Sequence, residues 1–248
     1  MKSFLGDQQL DQLREEGWCF AGRLLSDGEL ESLRAEEARF RAIEPHEPSA
    51  TVFRSQLAPY SAGVREIVGS GSPVAIARQV IGRNVAHWFN QFVTKLPDGG
   101  SGKTVFPWHQ DDGYAAITPP TNITIWIALD DVDEQNGCVW VLPRSHEMGL
   151  LPHGSASADN WYLEVQVEGE GVPAVLKAGE AVVFTGLTLH RSLLNQSRLP
   201  RRAFFIEYAD AGARYARPGA AVKPILMNPH TVVVSGEAPW SDERVRVD

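Results

Sequence analysis

Apolar positions recur at helical spacing in the first third of the chain and at strand spacing after it. Leu10 and Leu13 share one side of a helix that begins at Asp7 and stops at Gly17. Trp18 to Ala21 then reads as a short strand. Ser26 and Glu29 form a capping box, and Leu30, Leu33 and Phe40 give the helix behind it an apolar side. Ser72-Pro73 starts a further helix with proline at its first position, and Gly82 closes it. The opening third is thus expected to be helices around one short strand. From Asn84 onward, runs rich in Val, Ile, Phe, Trp and Thr alternate with Gly, Pro, Asn and Asp clusters. These runs cover 85–96, 121–129, 138–142, 172–177, 181–184 and 203–208, a spacing that predicts an all-β sandwich or barrel with the helices packed outside it. The last forty or so residues carry little periodicity. The apolar Ile225-Leu226-Met227 and Val232-Val233-Val234 predict ordered loops or one short strand there.

Composition narrows this picture without redirecting it. The chain has 248 residues, 43% hydrophobic and 22% charged, which suits a single domain with ample core. We read 1–83 as a mostly helical flank, 84–210 as the β core and 211–248 as C-terminal loops or a lid. A formal net charge of −8 argues against nucleic acid or an anionic membrane as the partner and leaves a small molecule. No membrane span or signal-peptide pattern is visible, and Cys19 and Cys138 do not make a disulfide framework, so reducing cytoplasm is the expected setting. Oligomeric state is not legible.

Two separated motifs carry the candidate chemistry: His109-Gln110-Asp111, and His190 followed by Ser192 and Arg201. An H-x-D triplet alone arises easily by chance. In an extended segment, however, residues i and i+2 share a face, so His109 and Asp111 can address one ion while Gln110 and Asp112 point away. His190 follows the apolar run Ala181 to Phe184 and ends a strand in a polar group. Two imidazoles and one carboxylate occupy one face of a six-coordinate ion and leave positions open, as in non-haem Fe(II) oxygenases. His-Asp-His ligation also suits a Zn or Mn hydrolase, and a binding module without catalysis is a further alternative. Neither gives Ser192 and Arg201 a task, whereas a guanidinium suits an organic acid co-substrate. Strand alternation favours Arg201 over Arg202.

Several stretches together resemble the phytanoyl-CoA dioxygenase family of Fe(II)/2-oxoglutarate-dependent oxygenases. They are Gly17-Trp18 with Leu24-Leu25-Ser26, the segments 108–111, 126–131 and 136–146, and His190-Arg191-Ser192 through Arg201. The resemblance implies a double-stranded β-helix (jelly-roll, cupin-like) core, mainly β with flanking α. It implies iron ligands at His109, Asp111 and His190, and a salt bridge from Arg201 to the remote carboxylate of 2-oxoglutarate. Ser192, Lys95 and Thr124 are expected on the co-substrate side. Fe(II), 2-oxoglutarate and O2 are the implied cofactors, with ascorbate as a stimulant. Related halogenases carry Gly or Ala in place of the carboxylate, so Asp111 implies hydroxylation or a related oxidation of an unactivated C–H bond.

Gln91, Trp108, Gln110, Tyr114 and Trp126 are the expected substrate-pocket residues. Asn160-Trp161-Tyr162, Tyr215 and Trp240 are lid candidates, and the glycine-rich loop 98–103 is a mobile segment or a plain surface hairpin. His146 and His153 read as structural. So many aromatics point to a medium-sized, partly apolar metabolite, such as a natural-product intermediate. An acyl-CoA or carrier-bound thioester is the alternative, but no basic cluster for its phosphates stands out.

Overall fold

Local signals set the helices of the computed structural model, which describes residues 4–43, 50–156 and 161–237. Helix α1 (Asp7–Glu16) closes at Gly17, whose φ of 82° is the left-handed conformation that glycine adopts without penalty. Strand β1 (Trp18–Arg23) follows, and Ser26 caps α2 (Asp27–Arg41) through the reciprocal bonds Glu29 N–H to Ser26 Oγ and Ser26 N–H to the Glu29 carboxylate. Strand β2 (Thr51–Ser55), helix α3 (Ala62–Gly69) and helix α4 (Gly71–Val80) complete the first third. This corrects two expectations. There are two strands here, not one, and α4 begins upstream of Pro73, which still lies in the first turn where its missing N–H costs nothing.

The remaining strands are β3 (Val85–Lys95), β4 (Phe106–His109), β5 (Ala116–Thr118), β6 (Ile123–Ala128), β7 (Val139–Val141), β8 (Gly154–Ser155), β9 (Leu163–Glu164) and β10 (Val172–Pro173). They continue with β11 (Glu180–Thr185), β12 (His190–Ser192), β13 (Arg201–Asp210), β14 (Arg214–Ala216), β15 (Lys223–Pro224) and β16 (Val232–Ser235). Among the described residues the main sheet runs β1-β11-β6-β13-β3-β16, with β2 also paired to β3. A smaller sheet, β10-β7-β12-β4, supplies the other wall, and every pairing is antiparallel. The architecture is a double-stranded β-helix.

Alternation divides the two faces of the main sheet. Ile123, Ile125 and Ile127 of β6 and Phe204, Ile206 and Tyr208 of β13 join one apolar cluster with Leu13, Leu33, Phe40, Val64 and Ile76 of the four helices. The helices therefore cover the outer face, as the pattern predicts, and each fully buried Leu or Ile there contributes about 1.5–3 kcal/mol. The opposite residues of the same strands, Thr124, Trp126, Phe205 and Glu207, face the space between the sheets. The C-terminal part is more ordered than loops: β16 extends the main sheet at the edge of β3, and β14 pairs with β5. The loop 98–103 is tied down by Asp98, whose carboxylate accepts from Gly102 N, Thr104 N and Thr104 Oγ1. Among the described residues no helix is long and apolar enough to cross a membrane.

Candidate active site

Strand pairing makes the first contact of the site. In the small sheet β4 runs antiparallel to β12 with His109 directly opposite His190, and the two ring centroids lie 4.1 Å apart. Each imidazole is oriented from behind: His109 Nδ1 bonds Pro107 O at 2.9 Å and His190 Nδ1 bonds Thr188 O at 3.1 Å. A carbonyl only accepts, so Nδ1 carries the proton and each Nε2 presents a lone pair. Asp111 Oδ1 stands 3.8 Å from His109 Nε2 and 3.5 Å from His190 Nε2. The donor atoms all lie within 4.8 Å of one another. Burial, and then the neighbouring His190, holds His109 well below the usual imidazole range, which keeps it neutral as a metal ligand requires.

The segment after His109 is not extended. Residues Asp111–Gly113 form a single 3-10 turn, and this turn, not strand alternation, separates the two carboxylates. Asp111 faces the histidines, whereas Asp112 accepts from Asn122 Nδ2 at 2.9 Å, its carboxyl pushed up to about 7 chiefly by burial. The turn is fixed by Gln110, which is fully buried. Its Nε2 donates to Gly149 O and Leu187 O, its Oε1 accepts from Leu151 N, and its backbone N–H donates to His153 Nε2. Gln110 is therefore no pocket residue. Nor is Trp108, which packs with Val165 and Leu189 on the far side of the small sheet beneath the Arg191 guanidinium. His153 and His146 also stay outside the cavity, the latter bonded to Arg14 O.

Arg201 and Lys95 are cross-strand partners on β13 and β3, and each side chain is only 1% exposed. Arg201 Nη2 donates to Gly137 O at 2.8 Å, while Nε and Nη1 have no hydrogen-bond partner among the described residues. Lys95 Nζ donates to Leu193 O. Burial pulls Arg201 down to about 10 and Lys95 well below its ordinary value. Two buried basic groups that, among the described residues, have no hydrogen-bonded carboxylate and leave two donors orphaned are a costly arrangement that an anionic ligand would satisfy. Arg202, on the other face, is bidentate to Asp130. Ser192 lines the same cavity as Arg201. Thr124 also lines it, but its hydroxyl donates to Asp111 Oδ2 at 2.5 Å and so serves the carboxylate, not the co-substrate side.

A profile of the phytanoyl-CoA dioxygenase family matches residues 2–203. The chain belongs to the phytanoyl-CoA dioxygenase family. It is accordingly a non-haem iron, 2-oxoglutarate-dependent oxygenase. The peroxisomal phytanoyl-CoA dioxygenase of Bos taurus is 26% identical over 230 residues, covering 81% of this chain and 67% of that one. The ectoine dioxygenase of Nocardia farcinica is 26% identical over 249 residues, covering 88% and 82%. The fold is also that of SnoN, the non-haem alpha-ketoglutarate-dependent epimerase from nogalamycin biosynthesis. Its structure superposes with a TM-score of 0.73 at 19% identity over 93% of this chain and 98% of that chain.

In this family member both sheets wall one cavity of about 720 Å3, which takes in the triad, Arg201 and Lys95 at its polar positions. Gln91, Tyr114 and Trp126 line it as expected from the sequence. Trp161 lines it too and joins an edge-to-face aromatic cluster with Phe53, Phe106 and Tyr114. Tyr215 instead packs on Trp88, and Asn160 and Trp240 lie outside the described residues. Sequence reasoning overlooks Phe53, Phe106 and Glu207. Glu207 was within its reach, because it continues the inward alternation that starts at Arg201.

Proposed function

We propose that this oxygenase hydroxylates an unactivated C–H bond of a small, partly apolar metabolite, a natural-product or other specialised intermediate. The observation that carries the reading is the pairing of a His-Asp-His donor set with the orphaned Nε and Nη1 of buried Arg201 in one cavity. His109, Asp111 and His190 hold Fe(II), each with the ligand atom already aimed. Arg201 takes the distal carboxylate of 2-oxoglutarate through its unpartnered donors, with the Ser192 hydroxyl and the Lys95 ammonium beside it. Bound there, iron with 2-oxoglutarate and dioxygen supplies the oxidising power, and succinate and carbon dioxide are the co-products. The chain itself does the positioning. Thr124 orients Asp111, and Trp126, Phe184 and Phe205 exclude water between the two polar ends. The volume and the aromatic walls suit a drug-sized molecule, and relatives named for ectoine and for nogalamycin biosynthesis support a small-molecule substrate.

Anaerobic addition of Fe(II) and 2-oxoglutarate should produce a weak visible charge-transfer band, and air should yield succinate, increased by substrates found in a metabolite screen. Absence of both the band and succinate would defeat the proposal. His190→Ala should abolish iron retention. Arg201→Ala should chiefly raise the 2-oxoglutarate requirement, since losing a buried charge-assisted pair costs about 2–5 kcal/mol. Unchanged 2-oxoglutarate affinity in that variant would remove Arg201 from its assigned role.

A further inference from the structure

Glu207 is a buried carboxyl that the proposed chemistry does not use. It is 7% exposed and lines the cavity from β13, on the same inward face as Arg201 and Phe205. It lies six positions after Arg201, so along an extended strand the two are about 20 Å apart. Its neighbours across the sheet are Thr124 and Phe89. Because Glu207 lies opposite Thr124 and Thr124 bonds Asp111, Glu207 stands one side chain from the triad. Oε2 accepts from Asn122 Nδ2 at 3.0 Å, and Oε1 has no partner among the described residues.

That placement has a cost that packing does not return. Asp112 repels a charge at Glu207, and the two N–H groups of Asn122 Nδ2 are both taken, one by each carboxyl. A leucine here would relieve the repulsion and pack against Phe89 and Phe205. A buried polar group kept against such a cost is accounted for by a ligand.

Resting on the oxygenase reading, we propose that Glu207 anchors the primary substrate by hydrogen bonding a hydroxyl group of it through Oε1, which makes the substrate class a hydroxylated, otherwise largely apolar molecule. A hydroxyl pairs with the carboxyl in either protonation state, donating to a carboxylate oxygen or accepting from the acid. An ammonium requires the ionised form. Burial of the side chain at 7% exposure disfavours that form. The hydroxyl fixes one end of the substrate beside the metal site, and Phe89, Trp88 and Tyr114 take the apolar remainder.

The test compares three probes that differ in one group: indole-3-ethanol, 3-propylindole and tryptamine. Each is titrated calorimetrically into the full chain as wild type, Glu207→Leu and Glu207→Gln, with 2-oxoglutarate titrated in parallel. The wild type should prefer the alcohol over 3-propylindole by about tenfold, the worth of one buried hydrogen bond. Glu207→Leu should bind the two equally. Glu207→Gln should keep the preference, because Asn122 holds the amide oxygen and turns its NH2 towards the cavity. The proposal is overturned by no hydroxyl preference in the wild type, by an undiminished preference in Glu207→Leu, or by tryptamine binding ahead of the alcohol. If Glu207→Leu does not fold, the wild-type ranking and its retention in Glu207→Gln decide. A wild type that fails to bind 2-oxoglutarate would sink the oxygenase reading separately, and the probe ranking would still report on Glu207.

Discussion

Replacing Thr124 by valine removes one hydroxyl and leaves the side-chain shape nearly unchanged. The sequence reading puts this hydroxyl on the co-substrate side, but the structure gives it to Asp111, at 2.5 Å from Oδ2. With Oδ2 engaged, Oδ1 is the oxygen held towards His109 and His190, at 3.8 and 3.5 Å. Thr124 is the second residue of β6, a strand buried along its whole length, and is itself 1% exposed. A hydrogen bond to a charged group is worth about 1.5–3 kcal/mol. Loss of a partner behind a metal ligand commonly lowers metal affinity by about 10–100-fold, which is the same energy expressed as a ratio. The assay is an anaerobic titration of Fe(II), then of 2-oxoglutarate at saturating metal, into wild type and Thr124→Val. The metal dissociation constant should rise by that factor while the 2-oxoglutarate constant stays put. An unchanged metal constant refutes the reasoning. A rise confined to the 2-oxoglutarate constant returns the hydroxyl to the co-substrate.

Two further predictions concern the scaffold. His87 is buried beside Asn90 and Tyr208, and burial lowers it from 6.5 to about 4. Between those values the unfolded chain binds a proton that the folded one refuses. Stability is therefore full above 6.5 and falls by up to roughly 3 kcal/mol as pH drops towards 4. Urea unfolding across this window should show a flatter acid limb in His87→Leu, and an identical limb would clear His87 of responsibility. Gly186 passes so close to the acidic network that an added Cβ would meet Asp112 Oδ1 at 2.2 Å and Asn122 Nδ2 at 2.8 Å. Gly186→Ala should cost about 1–3 kcal/mol through overpacking, read as a fall of several degrees in Tm. A wild-type Tm would mean that the network moves aside freely.

Alternation and capping carried the fold because both are local. Ser26 with Glu29 and the left-handed Gly17 mark helix ends from a few residues alone. The inward and outward faces of β6 and β13 follow from a period of two. Strand β2 escaped that logic: five residues with a mixed burial pattern owe their strand character to β3, about forty residues downstream. The turn at Asp111 escaped it for a stronger reason. Nothing in His109-Gln110-Asp111-Asp112 itself calls for a 3-10 turn; Gln110 imposes it by bonding groups 39, 41 and 77 residues away. The same bonds explain why Gln110 is not in the cavity, since a glutamine that secures three backbone partners has no amide left for a substrate. Asp111 over Asp112 thus follows from tertiary contacts, although alternation selects the same residue for a different reason. Glu207 reverses that case. Counting by twos along β13 from Arg201 reaches it at once, yet a motif search ends at the arginine because the motif describes what binds the co-substrate. The residues that select the primary substrate lie past that point on the same face, where the physical question becomes why a carboxyl remains buried with one oxygen unpaired.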